Sequence, residues 1–163
     1  MMQTAPLNLP PLAPGDLLGF SRTGLFDSII KVKTWSHWTH IEVYAGGDFT
    51  VASRNGKGVA KYPADLSGLY CVLRPKLAFD FDAAMLEFYR TMNGKPYGWL
   101  ALFSFCLIDI HDNGIFCSEL ATLFYRAGGF EPFKIDRPAE KCAPMNFSYV
   151  HNSVLKVVYS DGK

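Results

Sequence analysis

The sequence predicts an α+β domain in which an antiparallel sheet packs against helices, one of which begins with a cysteine. Short runs of β-forming residues separated by Gly- and Pro-rich turns occupy residues 17–74. Apolar residues recur at helical spacing in 80–92 and again in 117–127. With 163 residues, 49% of them hydrophobic and 19% charged, the chain is long enough to bury a core, which excludes a disordered protein.

The elements follow one another with few interruptions. Residues 1–13 are predicted to be an extended arm because their prolines prevent regular structure, and residues 14–163 are predicted to form one domain. Strands are predicted at 17–20, from 39 to a turn at 46–48, and at 49–53, 59–62, 69–74 and 154–159. The strands that precede Pro75 are expected to form an antiparallel meander. Helices are predicted at 21–33, 80–92, 100–110 and 117–127.

The helix predicted at 117–127 begins with Cys117 and ends at Gly128 and Gly129, which supply a left-handed cap. Unpaired amide hydrogens and the positive end of the helix dipole lie at its first turn. A cysteine there is stabilised as a thiolate. Free cysteines are also common as small buried hydrophobes, so this segment alone supports a nucleophile and a core residue about equally.

The strand from residue 39 onwards carries the second candidate. Alternate side chains of a strand share a face, so His40, Glu42 and Tyr44 are expected on one side and Ile41 and Val43 on the other. A polar face that begins with a histidine either lines a cleft or is the solvent face of an edge strand. A cysteine at a helix start and a histidine at a strand start are the pair that a nucleophilic cysteine needs.

The sequence resembles the NlpC-type papain-like cysteine hydrolases. The segments that carry the resemblance are Gly15-Asp16-Leu17, the run 39–44, the run Gly94 to Trp99, and Phe116-Cys117-Ser118-Glu119-Leu120. Their order is circularly permuted, as in the YiiX-type hydrolases and the lecithin:retinol acyltransferase group. The resemblance implies a permuted papain-like fold that covers about residues 14–130.

The resemblance also implies roles for individual residues. Cys117 corresponds to the nucleophile and His40 to the general base and acid. The polar third member of the family's triad lies on the following strand, where Ser53 is the first choice and Asn55 the second. A serine hydroxyl stabilises an imidazolium less than a carboxylate does, because charge-assisted hydrogen bonds are stronger. Glu42, on the strand face of His40, is a candidate to compensate.

Further residues are expected to bind the substrate or the oxyanion. Tyr97 matches the family's tyrosine beside the nucleophile, and Glu42 and Trp38 lie close to His40 in sequence. Trp35 and Trp38 flank the histidine and are expected to shape a substrate groove. Cys142 lies in a loop bounded by prolines and is expected to be exposed, whereas Cys71 and Cys106 are expected in the core.

The predicted function is hydrolysis of an amide bond through a Cys117 acyl-enzyme, with a peptide such as a bacterial cell-wall stem peptide as substrate. The resemblance leaves two alternatives open: a lipid esterase or acyltransferase of the permuted branch, and a catalytically silent structural or virion protein that binds through the cleft. A bacteriophage or prophage origin is also suggested by the resemblance, which would place the protein in the virion or at the cell wall.

Composition and residue spacing limit the classes of partner, location and cofactor that are expected. The formal charge is +1 and the basic residues are scattered, so nucleic acid is not expected as a partner. The longest apolar stretch, 99–110, is too short to span a bilayer, and the first residues lack a secretory signal, so synthesis and retention in the cytoplasm are expected. No cofactor is expected, and His37 and His40 are not spaced as a metal-binding pair on a strand.

Overall fold

The computed structural model describes residues 8–21, 38–98, 113–134, 137–147 and 154–161. These residues form an α+β structure built on an antiparallel sheet, which confirms the predicted class. The predicted helix at 100–110 and, apart from Ser21, the one at 21–33 lie outside the described residues, as do Trp35 and Cys106.

In the described part of the chain the sheet has six strands in the order β4-β3-β2-β1-β5-β6. Their bounds are Leu17–Phe20 (β1), His40–Gly46 (β2), Phe49–Arg54 (β3), Gly58–Pro63 (β4), Leu69–Pro75 (β5) and Leu155–Ser160 (β6). The predicted meander is right for β2, β3 and β4 but wrong for β5, which pairs with β1 instead of β4. The fully apolar β1 explains this, since such a strand is most stable between two neighbours and buried on both faces.

Two helices are described. The first, α1 (Phe81–Glu87), begins at Asp80, whose carboxylate accepts the backbone N–H of Ala83 at 2.9 Å. It continues as a single π-helical turn, Phe88–Met92. The second, α2 (Cys117–Ala127), ends before Gly129, which takes the left-handed conformation with φ +75°. Short 3-10 turns follow at Ala139–Lys141 and Pro144–Phe147.

The main core lies between α2 and one face of the sheet. Leu120 and Phe124 of α2 share this core with Ile41, Val43 and Val51 of β2 and β3. All five side chains are at least 99% buried. Burial of such side chains contributes about 1.5–3 kcal/mol each, which holds the helix, and therefore its first turn, at a fixed height above β2.

The other face of the sheet carries a smaller apolar cluster and the polar side chains of β2. Leu18, Phe20 and Val72 are buried there, and Leu9 and Leu12 of the N-terminal arm pack against them. Residues 9–13 contain no strand or helix. His40 pairs with Phe20 across the strands, with ring centroids 6.2 Å apart. No helix among the described residues is long and apolar enough to cross a membrane.

Candidate active site

The first turn of α2 lies at the start of β2, so the packing of helix on sheet brings Cys117 to His40. The thiol and the imidazole are hydrogen-bonded, and both residues are buried, with 5% and 9% of their surface exposed. The backbone N–H groups of Ile41 and Ser118 also donate to the sulfur. The structure therefore joins the two side chains that the sequence places 77 positions apart.

Local sequence explains why the helix begins at this cysteine. Phe116 is extended, with φ −93° and ψ 171°, and acts as the N-terminal cap position. Its N–H donates to the Glu119 carboxylate at 3.4 Å, as in a capping box, and the negative charge also complements the helix dipole. Cys117 is thereby the first helical residue, where backbone N–H groups have no partner within the helix.

The electrostatics of the pair favour a thiolate and an imidazolium. Burial opposes ionisation of Cys117, but the charge and hydrogen bond of His40, with the N–H groups of Ile41 and Ser118, lower the pKa of the thiol below its usual value. Burial likewise opposes protonation of His40, but Cys117 and Glu42 together outweigh it and raise the pKa of the imidazole to about 9. His40 is therefore charged at neutral pH, and its charge favours the ionised form of Cys117.

Glu42 supplies the third contact. Its Oε1 lies 3.0 Å from Nε2 of His40, so Nδ1 is the ring nitrogen that Glu42 does not engage. The carboxylate is 99% buried. Burial alone raises the pKa of Glu42, but hydrogen bonds from His40, Arg54 and Thr50 lower it to about 2. An acceptor that is charged at neutral pH therefore fixes the ring orientation and stabilises the imidazolium.

Ser53, the residue predicted to orient His40, does not do so. Its hydroxyl donates to the backbone carbonyl of Ile115, and the side chain is fully buried on the helix side of the sheet. Asn55, the second choice, lies in an exposed turn. The prediction of Ser53 as the third member is therefore wrong, and Glu42, which was expected to compensate, has the orienting contact.

A β-bulge between Tyr44 and Gly46 is the reason that Ser53 lies on the face of the sheet away from Glu42. Gly46 pairs with Phe49, but Tyr44 pairs with Thr50 and Val43 with Val51, so the register changes by one residue at the bulge. A regular continuation of the first pair would have placed Ser53 opposite Glu42. After the shift, Ser53 points to the opposite face.

Two residues of this network were not singled out in the sequence. Arg54 donates through Nε to Oε1 and through Nη2 to Oε2 of Glu42, both at 2.9 Å, and Thr50 donates to Oε2 at 2.6 Å. Arg54 also lies 4.5 Å from the ring centroid of Tyr62. The alternation of Thr50, Ala52 and Arg54 along β3 was the available signal, but it requires the bulge to be known.

Tyr97 lies next to the segment that leads into the helix. Its backbone forms a parallel bridge with Ile115, and the Ile115 N–H donates to the carbonyl of Pro96 at 3.0 Å. Gly98 and Gly114 allow this approach, because a Cβ on Gly114 would lie 2.5 Å from the Cα of Gly98. The half-buried Tyr97 is thus held beside Ile115, which precedes Cys117 by two residues.

Other sequence expectations are corrected. Trp38 is 4% exposed and belongs to the core, where a Cβ on Gly19 would lie 3.4 Å from its ring, so it does not form the wall of an open groove. Cys142 is fully buried, and its thiol donates to the Pro138 carbonyl at 3.3 Å, so the expected exposure is wrong. Burial raises the pKa of Cys71 to about 12 and, despite nearby groups that lower it, raises that of Cys142.

A cleft of about 630 Å³ lies beside the first two turns of α2. The residues described as lining it include Lys95, Pro96, Gly114, Glu119 and Leu123, but neither Cys117 nor His40. The described residues contain no group of three or more His, Cys, Asp or Glu side chains arranged to hold a metal ion.

The sequence matches no family model, and no curated protein matches it.

Proposed function

We propose that this protein is a cysteine hydrolase that cleaves an amide bond through a Cys117 acyl-enzyme. The observation that carries the proposal is the continuous contact from the Cys117 thiol through His40 to the buried carboxylate of Glu42. Nucleophile, base and orienting group in hydrogen-bond contact are the arrangement that covalent catalysis by a cysteine requires.

The first half of the proposed reaction uses the charged forms of Cys117 and His40. The Cys117 thiolate attacks the carbonyl carbon and a C–S bond forms, while negative charge develops on the carbonyl oxygen. The backbone N–H of Cys117, at the start of α2, is suited to stabilise that oxygen, together with Tyr97. The His40 imidazolium then gives its proton to the departing nitrogen as the C–N bond breaks.

Water completes the cycle. Neutral His40 takes a proton from a water molecule, whose oxygen attacks the acyl carbon. The C–S bond breaks, the acid product leaves, and the thiolate and imidazolium are restored. Glu42 stays ionised throughout and holds the ring so that Nδ1 serves both proton transfers.

The buried charges support an enzyme over a silent binding protein. Glu42 and Arg54 form an ion pair with 0% and 17% of their side chains exposed, and buried ion pairs are weak contributors to stability because desolvation offsets their attraction. A protein that used this fold only for docking would gain little from such a network. Strongly perturbed pKa values that have a specific charge partner are typical of functional sites.

The proposed substrate class is a peptide amide, with bacterial cell-wall stem peptides as the leading example, on the strength of the motif resemblance. The test is incubation of the protein with purified peptidoglycan fragments and, separately, with phospholipid vesicles, followed by mass spectrometry of the products and of the protein. We expect new peptide termini and an acyl adduct on Cys117 that hydroxylamine removes.

The variant Cys117→Ser should abolish both signals, whereas Cys142→Ala, which alters a buried thiol outside the site, should retain them. Release of fatty acid without peptide cleavage would replace the peptidase proposal with lipid ester hydrolysis. Two results together would refute the proposed enzymatic activity: iodoacetamide labels Cys117 no faster than a free cysteine at neutral pH, and neither substrate gives a product.

A further inference from the structure

The Glu42 carboxylate has a second charged partner whose geometry is as well defined as that of His40. Arg54 meets it with two parallel N–H···O contacts of 2.9 Å, and one of them ends on the same Oε1 that contacts His40. The guanidinium is itself held, by the Tyr62 ring on one side and by the Pro63 carbonyl, which its Nη2 reaches at 3.3 Å. A planar fork fixed in this way restricts the carboxylate to one orientation.

We propose that Arg54 is a positioning residue of the active site: it holds the carboxylate of Glu42 in place, and its own positive charge allows Cys117 to remain a thiolate. The inference rests on the proposed function, since it concerns the reactive state of the same cysteine.

Cys117, His40, Glu42 and Arg54 form a cluster of charges whose signs must balance because it is largely buried. In the reactive state the thiolate and the carboxylate are negative, and the imidazolium and the guanidinium are positive, so the net charge is zero. Without Arg54 the same state would carry one uncompensated negative charge, which is costly where water is excluded. The cluster would then retain a proton, and the thiol of Cys117 is the group that reacts only when it loses one.

Other groups near the cluster do not replace this charge. Among the described residues, the largest influences on the pKa values of His40 and Glu42, besides burial, come from each other, from Cys117 and Arg54, and from the neutral hydroxyl of Thr50. From β1, the ring of Phe20 faces His40 and is apolar. Tyr62 of β4 lies close enough to Arg54 and Glu42 for their charges to affect the pKa of its phenol. Its neutral hydroxyl donates to the Gly58 carbonyl at 2.9 Å.

The test is the rate of Cys117 alkylation by iodoacetamide as a function of pH, with the site of modification identified by peptide mass spectrometry. For Arg54→Gln we expect the acidic limb of this profile to move up by about one pH unit, so that labelling below the midpoint slows about tenfold. Arg54→Lys keeps the charge but not the fork and should move the limb less.

The chain offers a matched control. Arg74 clamps the buried carboxylate of Asp16 through two contacts of 2.7 Å, in a geometry like that of Arg54 but on a different carboxylate. Arg74→Gln should lower the melting temperature without moving the acidic limb. A limb that stays in place in folded Arg54→Gln, or moves equally in Arg74→Gln, would overturn the proposal.

If Arg54→Gln does not fold, Glu42→Gln and the double variant Glu42→Gln/Arg54→Gln decide the question. On the Glu42→Gln background the charge of Arg54 should still favour the thiolate. The acidic limb of Glu42→Gln should therefore lie about one pH unit below that of the double variant. Coincident limbs would refute the role of Arg54. Because alkylation needs no substrate, this outcome is distinct from failure of the hydrolase proposal, which the wild-type profile and product analysis decide.

Discussion

Replacement of Glu42 by Gln tests the central contact of the site. Burial opposes the charge on His40, yet the pKa of the imidazole lies at about 9 against an ordinary 6.5, an interval that corresponds to on the order of 3 kcal/mol in favour of imidazolium. Cys117 contributes more of this than Glu42. We therefore assign about one pH unit to Glu42 and expect His40 in Glu42→Gln to lose its proton about one unit lower than in the wild type.

The measurement is an NMR titration of the His40 imidazole, supported by the pH dependence of turnover once a substrate is known. Because turnover requires the imidazolium, its alkaline limb should fall with the titration midpoint. Ser53→Ala is the matched control: it leaves the Ile115 carbonyl without its side-chain donor, at a cost of about 1 kcal/mol in stability, but should not change the His40 midpoint. An unchanged midpoint in Glu42→Gln, or a lowered one in Ser53→Ala, would refute the assignment of Glu42.

The remaining predictions concern stability and the geometry around the site. The pKa of Glu42 is lowered from 4.5 to about 2, so its stabilising contribution is present above about pH 4.5 and is lost as pH falls towards 2; acid unfolding followed by circular dichroism should show a smaller loss over this range in Glu42→Gln, and an identical loss would contradict the ionised carboxylate. Gly114→Ala would place a Cβ 2.5 Å from the Cα of Gly98, so the bridged segment must shift, and iodoacetamide labelling of Cys117 should slow severalfold; an unchanged rate would mean that this approach does not position the site. Tyr125→Phe removes a buried hydrogen bond of 2.9 Å to the Gly15 carbonyl, and urea unfolding should report a loss of about 1 kcal/mol with normal labelling of Cys117; an unaltered unfolding midpoint would count against that bond.

The two candidate catalytic side chains, Cys117 and His40, could be chosen from the sequence because each carries a local signal. Cys117 stands at the first turn of an apolar helical repeat that ends in glycines, and His40 begins a β-branched run. Helix and strand starts are recognisable from a few neighbouring residues, so both elements and their starting points could be predicted. The order of the motifs predicted that the start of the helix and the start of the strand lie close together. The geometry of their contact depends on the packed core.

The orienting residue could not be chosen from the sequence, and the reason is a single residue of register. The face on which a strand residue lies depends on its partner across the hairpin, and a bulge of one residue exchanges the faces of everything beyond it. The bulge between Tyr44 and Gly46 places Ser53 against Ile115 and brings Thr50 and Arg54 towards Glu42.

The sequence by itself determined the α+β class, the strands that are described, the start of the cysteine helix and the identity of the nucleophile and base as candidates. Those features depend on interactions within a few residues. Tertiary structure alone decided that β5 pairs with β1, that Trp38 and Cys142 are buried, and that Glu42, held by Arg54, faces His40. Each of these depends on contacts between distant segments, whose relative placement is determined by the packing of the whole sheet and helix rather than by local propensity.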